Sequence, residues 1–147
     1  RLKILQEYDN FNFKKIDIDN HNLLSNVFDE YTPNKVINLA AQAGVQYSIS
    51  NPSEYIKSNL IGFFNMIELS KKHKVENFIY ASSSSVYGSD TKIPFSVHEN
   101  ADRPLALYGA TKRSNEIIAY SYSKASFPPH LSHLCEYYGG LFDHLIV

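Results

Sequence analysis

Val36-Ile37-Asn38-Leu39-Ala40-Ala41 is a nearly continuous apolar run opened by β-branched residues, the composition of a parallel strand covered on both faces. Upstream of it, residues 13–18 alternate as a short strand, and residues 20–31 carry Leu23, Leu24, Val27, Phe28 and Tyr31 at helical spacing. Downstream comes a polar stretch at 46–50. Asn51 as cap and Pro52 in the first turn then open a long helix whose buried side is fed by Tyr55, Leu60, Phe63, Phe64, Ile67 and Leu69. It ends near residues 71–74, where lysines suit a helix C-terminus. Residues 77–82 read as a third strand entering the serine cluster Ser82 to Ser85. Residues 88–103 read as loop, with Pro94 and Pro104 as breakers, and residues 108–124 restore a helical pattern through Ala110, Ile117, Ile118 and Tyr122. Strand and helix alternate throughout, the signature of βαβ units. The fold class expected is α/β, a doubly wound parallel sheet whose ligands sit outside the carboxyl ends of the strands.

The length, 147 residues, suits one core and leaves no room for two full domains. Fourteen Lys and Arg against fifteen Asp and Glu give a formal net charge of −1, without the basic excess that a phosphate backbone demands, so nucleic acid is not an expected partner. No apolar run approaches the ~18 residues of a membrane span, and the N-terminus turns polar within a few residues, unlike a signal peptide. A single cysteine, Cys135, cannot form an internal disulfide. A cytoplasmic protein without a membrane partner is expected. Met66 is the one methionine, so the sequence does not begin at an initiator residue and reads as a piece of a longer chain.

Tyr108 and Lys112 stand at i and i+4, where a cation one turn from a phenol favours the phenolate and makes a general base. The same spacing occurs at Tyr31 with Lys35 and at Tyr120 with Lys124. Pro33 interrupts the former, and Tyr120 lies roughly 120° around the helix from Tyr108. Only Tyr108 opens a helix that follows a strand ending in serines. Hydroxyls at such a strand end can share a proton with a substrate oxygen or hold a carboxylate, or can satisfy their own turn. Asp17 can likewise accept from an adenine amino group or cap the next helix. His130, His133 and Cys135 lack structural-zinc spacing, so no metal site is expected. No glycine-rich phosphate turn occurs in the sequence.

Together these pieces resemble the extended short-chain dehydrogenase/reductase family, and within it the nucleotide-sugar epimerases acting on UDP-glucuronate. The resemblance is carried by residues 36–45 with Tyr47-Ser48, by Ser58-Asn59-Leu60 with Gly62-Phe63, by residues 80–88, and by Leu107-Tyr108-Gly109-Ala110-Thr111-Lys112. It covers about residues 1–124. It implies a partial Rossmann-like NAD-binding domain over residues 1–125, without its first βα unit or a substrate domain, and leaves residues 126–147 as an unassigned tail. By resemblance, Asp17 and Ile18 contact adenine. Leu39, Ala40 and Ala41 form the strand end along the NAD cofactor, with Asn59 buried near it. Tyr108 is the catalytic base, and Lys112 its partner, which also holds the nicotinamide ribose. Ser83 bonds the sugar O4, and Ser84 and Ser85 are placed for a hexuronate carboxylate. Gln46 stands where these epimerases usually carry arginine.

The reaction so implied is NAD-dependent C4 epimerisation of a UDP-sugar, UDP-glucuronate to UDP-galacturonate, through a 4-keto intermediate. Related dehydratases carry Asp-Glu, and related decarboxylases a glutamate, after the serine or threonine of this strand, whereas Ser84-Ser85-Val86 offers no acid. The alternatives are an epimerase of another UDP-hexose, or a non-catalytic remnant. Without a glycine-rich turn the 147 residues alone are expected to retain NAD poorly. A homodimer through the helices at 51–74 and 108–124 is the partner the family implies.

Overall fold

Two short runs rich in β-branched and aromatic residues build the centre of the molecule. β1 (Lys35–Asn38) lies parallel to β2 (Asn77–Ala81), with Val36 beside Phe78 and Asn38 beside Tyr80. β3 (Leu131–Leu134) adds in parallel on the other side of β2, so the spatial order is β1-β2-β3. The computed structural model describes residues 2–89 and 103–125, and the backbone alone of residues 131–134. Residues 126–147, unassigned from sequence, thus contribute one strand, which includes His133. His130 and Cys135 lie outside the described residues, as do Pro94 and most of the loop expected at 88–103.

Around the sheet run α1 (Leu2–Leu5), α2 (His21–Tyr31), α3 (Val45–Ser50), α4 (Pro52–Tyr55), α5 (Phe63–Lys72) and α6 (Leu107–Lys124). The Asn20 side chain accepts from the Leu23 N–H at 3.1 Å and starts α2. Thr32 ends it in the left-handed region at φ 39°, its N–H returning to the Phe28 carbonyl. α4 and α5 are joined by a π-helical segment, Ile56–Gly62, so that residues 52–72 form one rod with a widened middle. Leu24 and Phe28 of α2, Val36 of β1, Phe63, Ile67 and Leu69 of α5, and Phe78 and Tyr80 of β2 share the core. Phe63 meets Phe78 and Tyr80 edge-on, at 6.0 and 5.2 Å between centroids. Each such contact contributes about 0.5–1.5 kcal/mol beyond burial.

Several expectations are corrected. Residues 11–17 are irregular rather than a strand, because an extended run needs a neighbour for its N–H and C=O groups and none of the described strands lies beside it. Side chains hold the segment instead: Lys14 Nζ donates to both Glu30 carboxylate oxygens at 3.0 Å, while Ile16 and Ile18 pack on the core. β1 stops at Asn38 and is covered on one side only, with Ile37 49% and Leu39 52% exposed. The stretch 46–50 is helical, its Ser48 and Ser50 hydroxyls turning back to the Val45 and Tyr47 carbonyls at 2.6 and 3.3 Å. Asn51 makes no side-chain cap and donates to the Ser50 hydroxyl, leaving Pro52 to open the rod. Phe64 and Ile117 face outward.

One link ties α5 to α6 beyond apolar packing. The Tyr122 hydroxyl donates to Glu68, and the Lys71 ammonium stands 5.4 Å from the Tyr122 ring centroid. Burial, followed by the bond to Glu68, pushes the Tyr122 phenol up to about 12. The protonated phenol is favoured in the folded chain, so this stabilisation is complete below about pH 10, the unfolded phenol's range, and is lost as pH rises through about 12. Tyr122→Phe is expected to lower stability by ~1 kcal/mol near neutrality. The deficit should shrink between pH 10 and 12; melting curves across that range, showing a constant deficit, would contradict the assignment.

Candidate active site

Because β1 and β2 are parallel, their carboxyl ends open on the same edge, and the first turns of α6 come down onto it. β2 ends at Ala81 and delivers the four serines into three environments. Ser82 is buried and donates its hydroxyl to Glu116. Ser83, also buried, caps the short 3-10 turn Ser84–Tyr87, its Oγ accepting from the Ser85 N–H at 3.3 Å. Ser84 and Ser85 sit half-buried on that turn. The turn expected from sequence is present, with Ser83 satisfying it as an acceptor and Ser84 and Ser85 standing on it.

α6 grips this strand end twice. Lys112, only 4% exposed, donates from Nζ to the Ala81 carbonyl at 3.0 Å. One turn later Glu116 takes the Ser82 hydroxyl, and its other oxygen accepts from Arg113 Nη1 at 2.7 Å. A buried ammonium is costly unless bonded, so the carbonyl fixes Lys112 one turn below Tyr108. Gly109 allows the close approach: a Cβ there would stand 2.5 Å from the Ser85 carbonyl oxygen. The rival spacings lead nowhere. Tyr31 ends α2 while Lys35 begins β1, and Tyr120 is 65% exposed with the Lys124 ammonium 5.3 Å from its own ring.

The rod 52–72 lays its polar groups along the other side of the edge. Asn59, in the π segment and 1% exposed, accepts the Gln42 N–H at 2.7 Å through Oδ1. Its Nδ2 donates to the Gln42 carbonyl and to Thr111 Oγ1, both at 3.0 Å, and Thr111 in turn donates to the Tyr108 carbonyl at 2.8 Å. One carboxamide thus couples the loop after β1 to the turn of α6 that carries Tyr108. Leu39 and Ala40 lie exposed at that strand end, and Ala41 half-buried, with the Ala40 N–H held by Asn38 Oδ1 at 3.1 Å.

Asp17 and Ile18 stand apart from this group, beyond the next turn of the rod. Ile18 packs against Gly62, where a Cβ would come within 2.5 Å of its side chain. Asn65 Nδ2 donates to the Ile18 and Asp19 carbonyls at 3.0 and 3.1 Å and so fixes the turn. Asp17 is exposed and lines a cleft of about 290 Å³ with Lys15, Ile16, Asp19, Asn20 and Leu23. Leu39 to Ala41, Asn59, Ser83 to Ser85, Tyr108 and Lys112 therefore share one edge, and Asp17 and Ile18 occupy its extension. Thr111, Glu116 and Asn65 were not expected from sequence. Their signal was available: polar residues interrupting the buried stripe of an amphipathic helix. No group of His, Cys, Asp and Glu fit to hold a metal occurs among the described residues. None of the described helices is long and apolar enough to cross a membrane.

Comparison with known proteins gives the geometry a context. The family model described as GDP-mannose 4,6 dehydratase matches residues 1–136. Protein CapI of Staphylococcus aureus is 54% identical over 123 residues, 84% of this chain and 36% of that protein. A probable UDP-glucuronate 4-epimerase of Rhizobium meliloti is 42% identical over 123 residues, with the same coverage of 84% and 36%. The chain thus spans little more than a third of the length of these curated relatives. Among solved structures, UDP-glucose 4-epimerase from Brucella ovis in complex with NAD superposes with a TM-score of 0.77 at 28% identity, covering 84% of this chain and 38% of that one.

Proposed function

The chain belongs to the family described as GDP-mannose 4,6 dehydratase, and from that membership we propose that it is the catalytic edge of an NAD-dependent 4-epimerase acting on UDP-glucuronate. The observation that carries this reading is the edge itself: Lys112 buried on the Ala81 carbonyl one turn from Tyr108, against a serine turn without an acid. The resemblance to UDP-glucuronate and UDP-glucose 4-epimerases supports the reaction class.

The residues present suit the nicotinamide half of NAD. Lys112 Nζ lies on the Ala81 carbonyl at the end of β2, beside the end of β1 where Leu39 and Ala40 are exposed, and Tyr108 stands one turn before it on α6; such an apolar strand end would suit a flat ring with ribose hydroxyls at its rim. Ile18, held by Asn65 and packed on Gly62, and its neighbour Asp17 would meet adenine. The sequence contains no glycine-rich turn, so the diphosphate is assigned to none of these residues. When bound, NAD supplies the acceptor and donor of a hydride at C4.

The chain's own residues handle protons and orientation. Tyr108 as phenolate takes the O4 proton while the C4 hydrogen leaves as hydride, giving a 4-keto sugar. After the sugar has turned its other face, the phenol would return the proton to O4 as the hydride came back to C4, so that C4 is inverted with no net oxidation. Ser83 Oγ accepts the Ser85 N–H, which leaves its own O–H as the donor to the sugar O4. Lys112 keeps a positive charge beside the phenolate and holds the ribose. The hydroxyls of Ser84 and Ser85 donate to the hexuronate carboxylate. The run Ser84-Ser85-Val86 carries no carboxylate where the related dehydratases and decarboxylases carry one, which favours simple inversion at C4 over elimination or C5 proton transfer.

The enzyme that contains this segment should convert UDP-glucuronate to a mixture with UDP-galacturonate without consuming added NAD. Formation of UDP-xylose or a dehydrated 4-keto product would overturn the reaction. Interconversion of UDP-glucose alone would overturn the substrate. For the assembly, we propose a homodimer through the outer face of the same helices. Ile61 and Phe64 on the rod, and Ile117 and Tyr120 on α6, recur at i, i+3 spacing and are 46%, 48%, 58% and 65% exposed. Ile117→Lys is expected to convert a dimer to a monomer in sedimentation; an unchanged mass would refute this face.

A further inference from the structure

We propose that Tyr55 is a positioning residue for Tyr108 and for the loop at residues 43–44, a role that rests on the epimerase reading above and deepens it. Tyr55 closes α4, is fully buried, and touches both sides of the edge. Its ring meets the Tyr108 ring nearly at right angles, 6.2 Å between centroids and 76° between planes. This lies within the range of favourable edge-to-face contact. Its hydroxyl lies 2.8 Å from the Ala43 carbonyl and 2.6 Å from the Gly44 carbonyl, with one proton to donate between them. Burial pushes the phenol up, so it remains a donor.

The two ends of this side chain serve different partners. The ring limits the swing of Tyr108, whose phenol must meet a substrate oxygen within hydrogen-bond reach. The hydroxyl holds the loop that continues from Leu39, Ala40 and Ala41, on which the nicotinamide half would lie. Gly44 is also the N-terminal boundary of α3, and from that helix the Tyr47 ring meets Tyr55 at 6.2 Å between centroids, tilted by 46°. Core packing alone would need only an apolar side chain at this position; a buried phenol donating into a loop and abutting a second phenol is what positioning requires.

The test separates the two ends in the enzyme that contains this segment, with turnover, sugar KM and NAD affinity normalised to folded protein. Tyr55→Leu removes ring and hydroxyl, and is expected to lower kcat about tenfold with the sugar KM within about twofold. Tyr55→Phe keeps the ring, and should restore kcat to within about twofold of the parent while loosening NAD about fivefold. If Tyr55→Leu does not fold, Tyr55→Met carries the same expectation at similar volume. An unchanged kcat in the Leu or Met variant, or an equal loss in Phe and Leu, overturns the proposal. Tyr108→Phe run in parallel distinguishes the levels: if that variant remains active the base assignment itself has failed, and if it is inactive while Tyr55→Leu turns over normally only the positioning role has failed.

Discussion

Tyr108→Phe is expected to reduce turnover by about 10²–10⁴-fold, the contribution of a positioned general base, while leaving NAD affinity within a few-fold. The substitution removes one oxygen and keeps the ring that meets Tyr55 at 6.2 Å. Lys112 should stay in place, because its nitrogen is held by the Ala81 carbonyl. The loss should therefore appear in kcat with little change in KM, the mark of an interaction made in the transition state. Isotope-free progress curves with UDP-glucuronate and a fluorescence titration with NAD read the two quantities separately. Retained turnover would remove Tyr108 from the base role.

Gly109→Ala is expected to lower both stability and activity, although alanine is the better helix former by about 1 kcal/mol. The opposing effect is steric. A Cβ would stand 2.5 Å from the Ser85 carbonyl oxygen and 3.0 Å from Pro104 Cβ, and a backbone oxygen cannot swing away as a flexible side chain can. Overpacking of this kind costs about 1–3 kcal/mol, so sterics win by up to ~2 kcal/mol. The melting temperature should fall by ~3–6 °C. The displacement separates α6 from the Ser84–Tyr87 turn, which moves Tyr108 relative to Ser83, and a shift of ~1 Å there can cost ~10²-fold in turnover. A raised melting temperature would show that helix propensity dominates and that the close approach is not required.

What the sequence made legible follows from what kind of signal each feature leaves. β1, β2 and α6 are carried by local composition, and the serine run and the Tyr108 to Lys112 spacing are contiguous, so the edge could be placed before any geometry was known. Asn59 was reached through resemblance alone. Tyr55 read as one more buried residue, because its partners, Ala43, Gly44 and Tyr108, meet only after the rod packs across the loop. Asn65 and Glu116 interrupt buried helical stripes and could be marked as polar positions, but their partners, 46 and 34 residues away, could not be named from the pattern. Residues 13–18 failed in the opposite sense. Their alternation is strand-like, but a strand is made by its neighbour, and the described sheet has none beside that segment. The π segment was equally illegible, since a helical pattern does not announce the extra residue of the widened turn that carries Asn59.

The central claim is that this edge inverts C4 by passing a hydride out and back, without touching C5. Conversion of UDP-glucuronate in D₂O by the enzyme that contains this segment, followed by mass and NMR analysis of the product, tests it most directly. The account predicts UDP-galacturonate with no deuterium on carbon, because the hydrogen at C4 never exchanges with solvent. Deuterium at C4 or C5, or loss of the carboxylate as carbon dioxide, would contradict it.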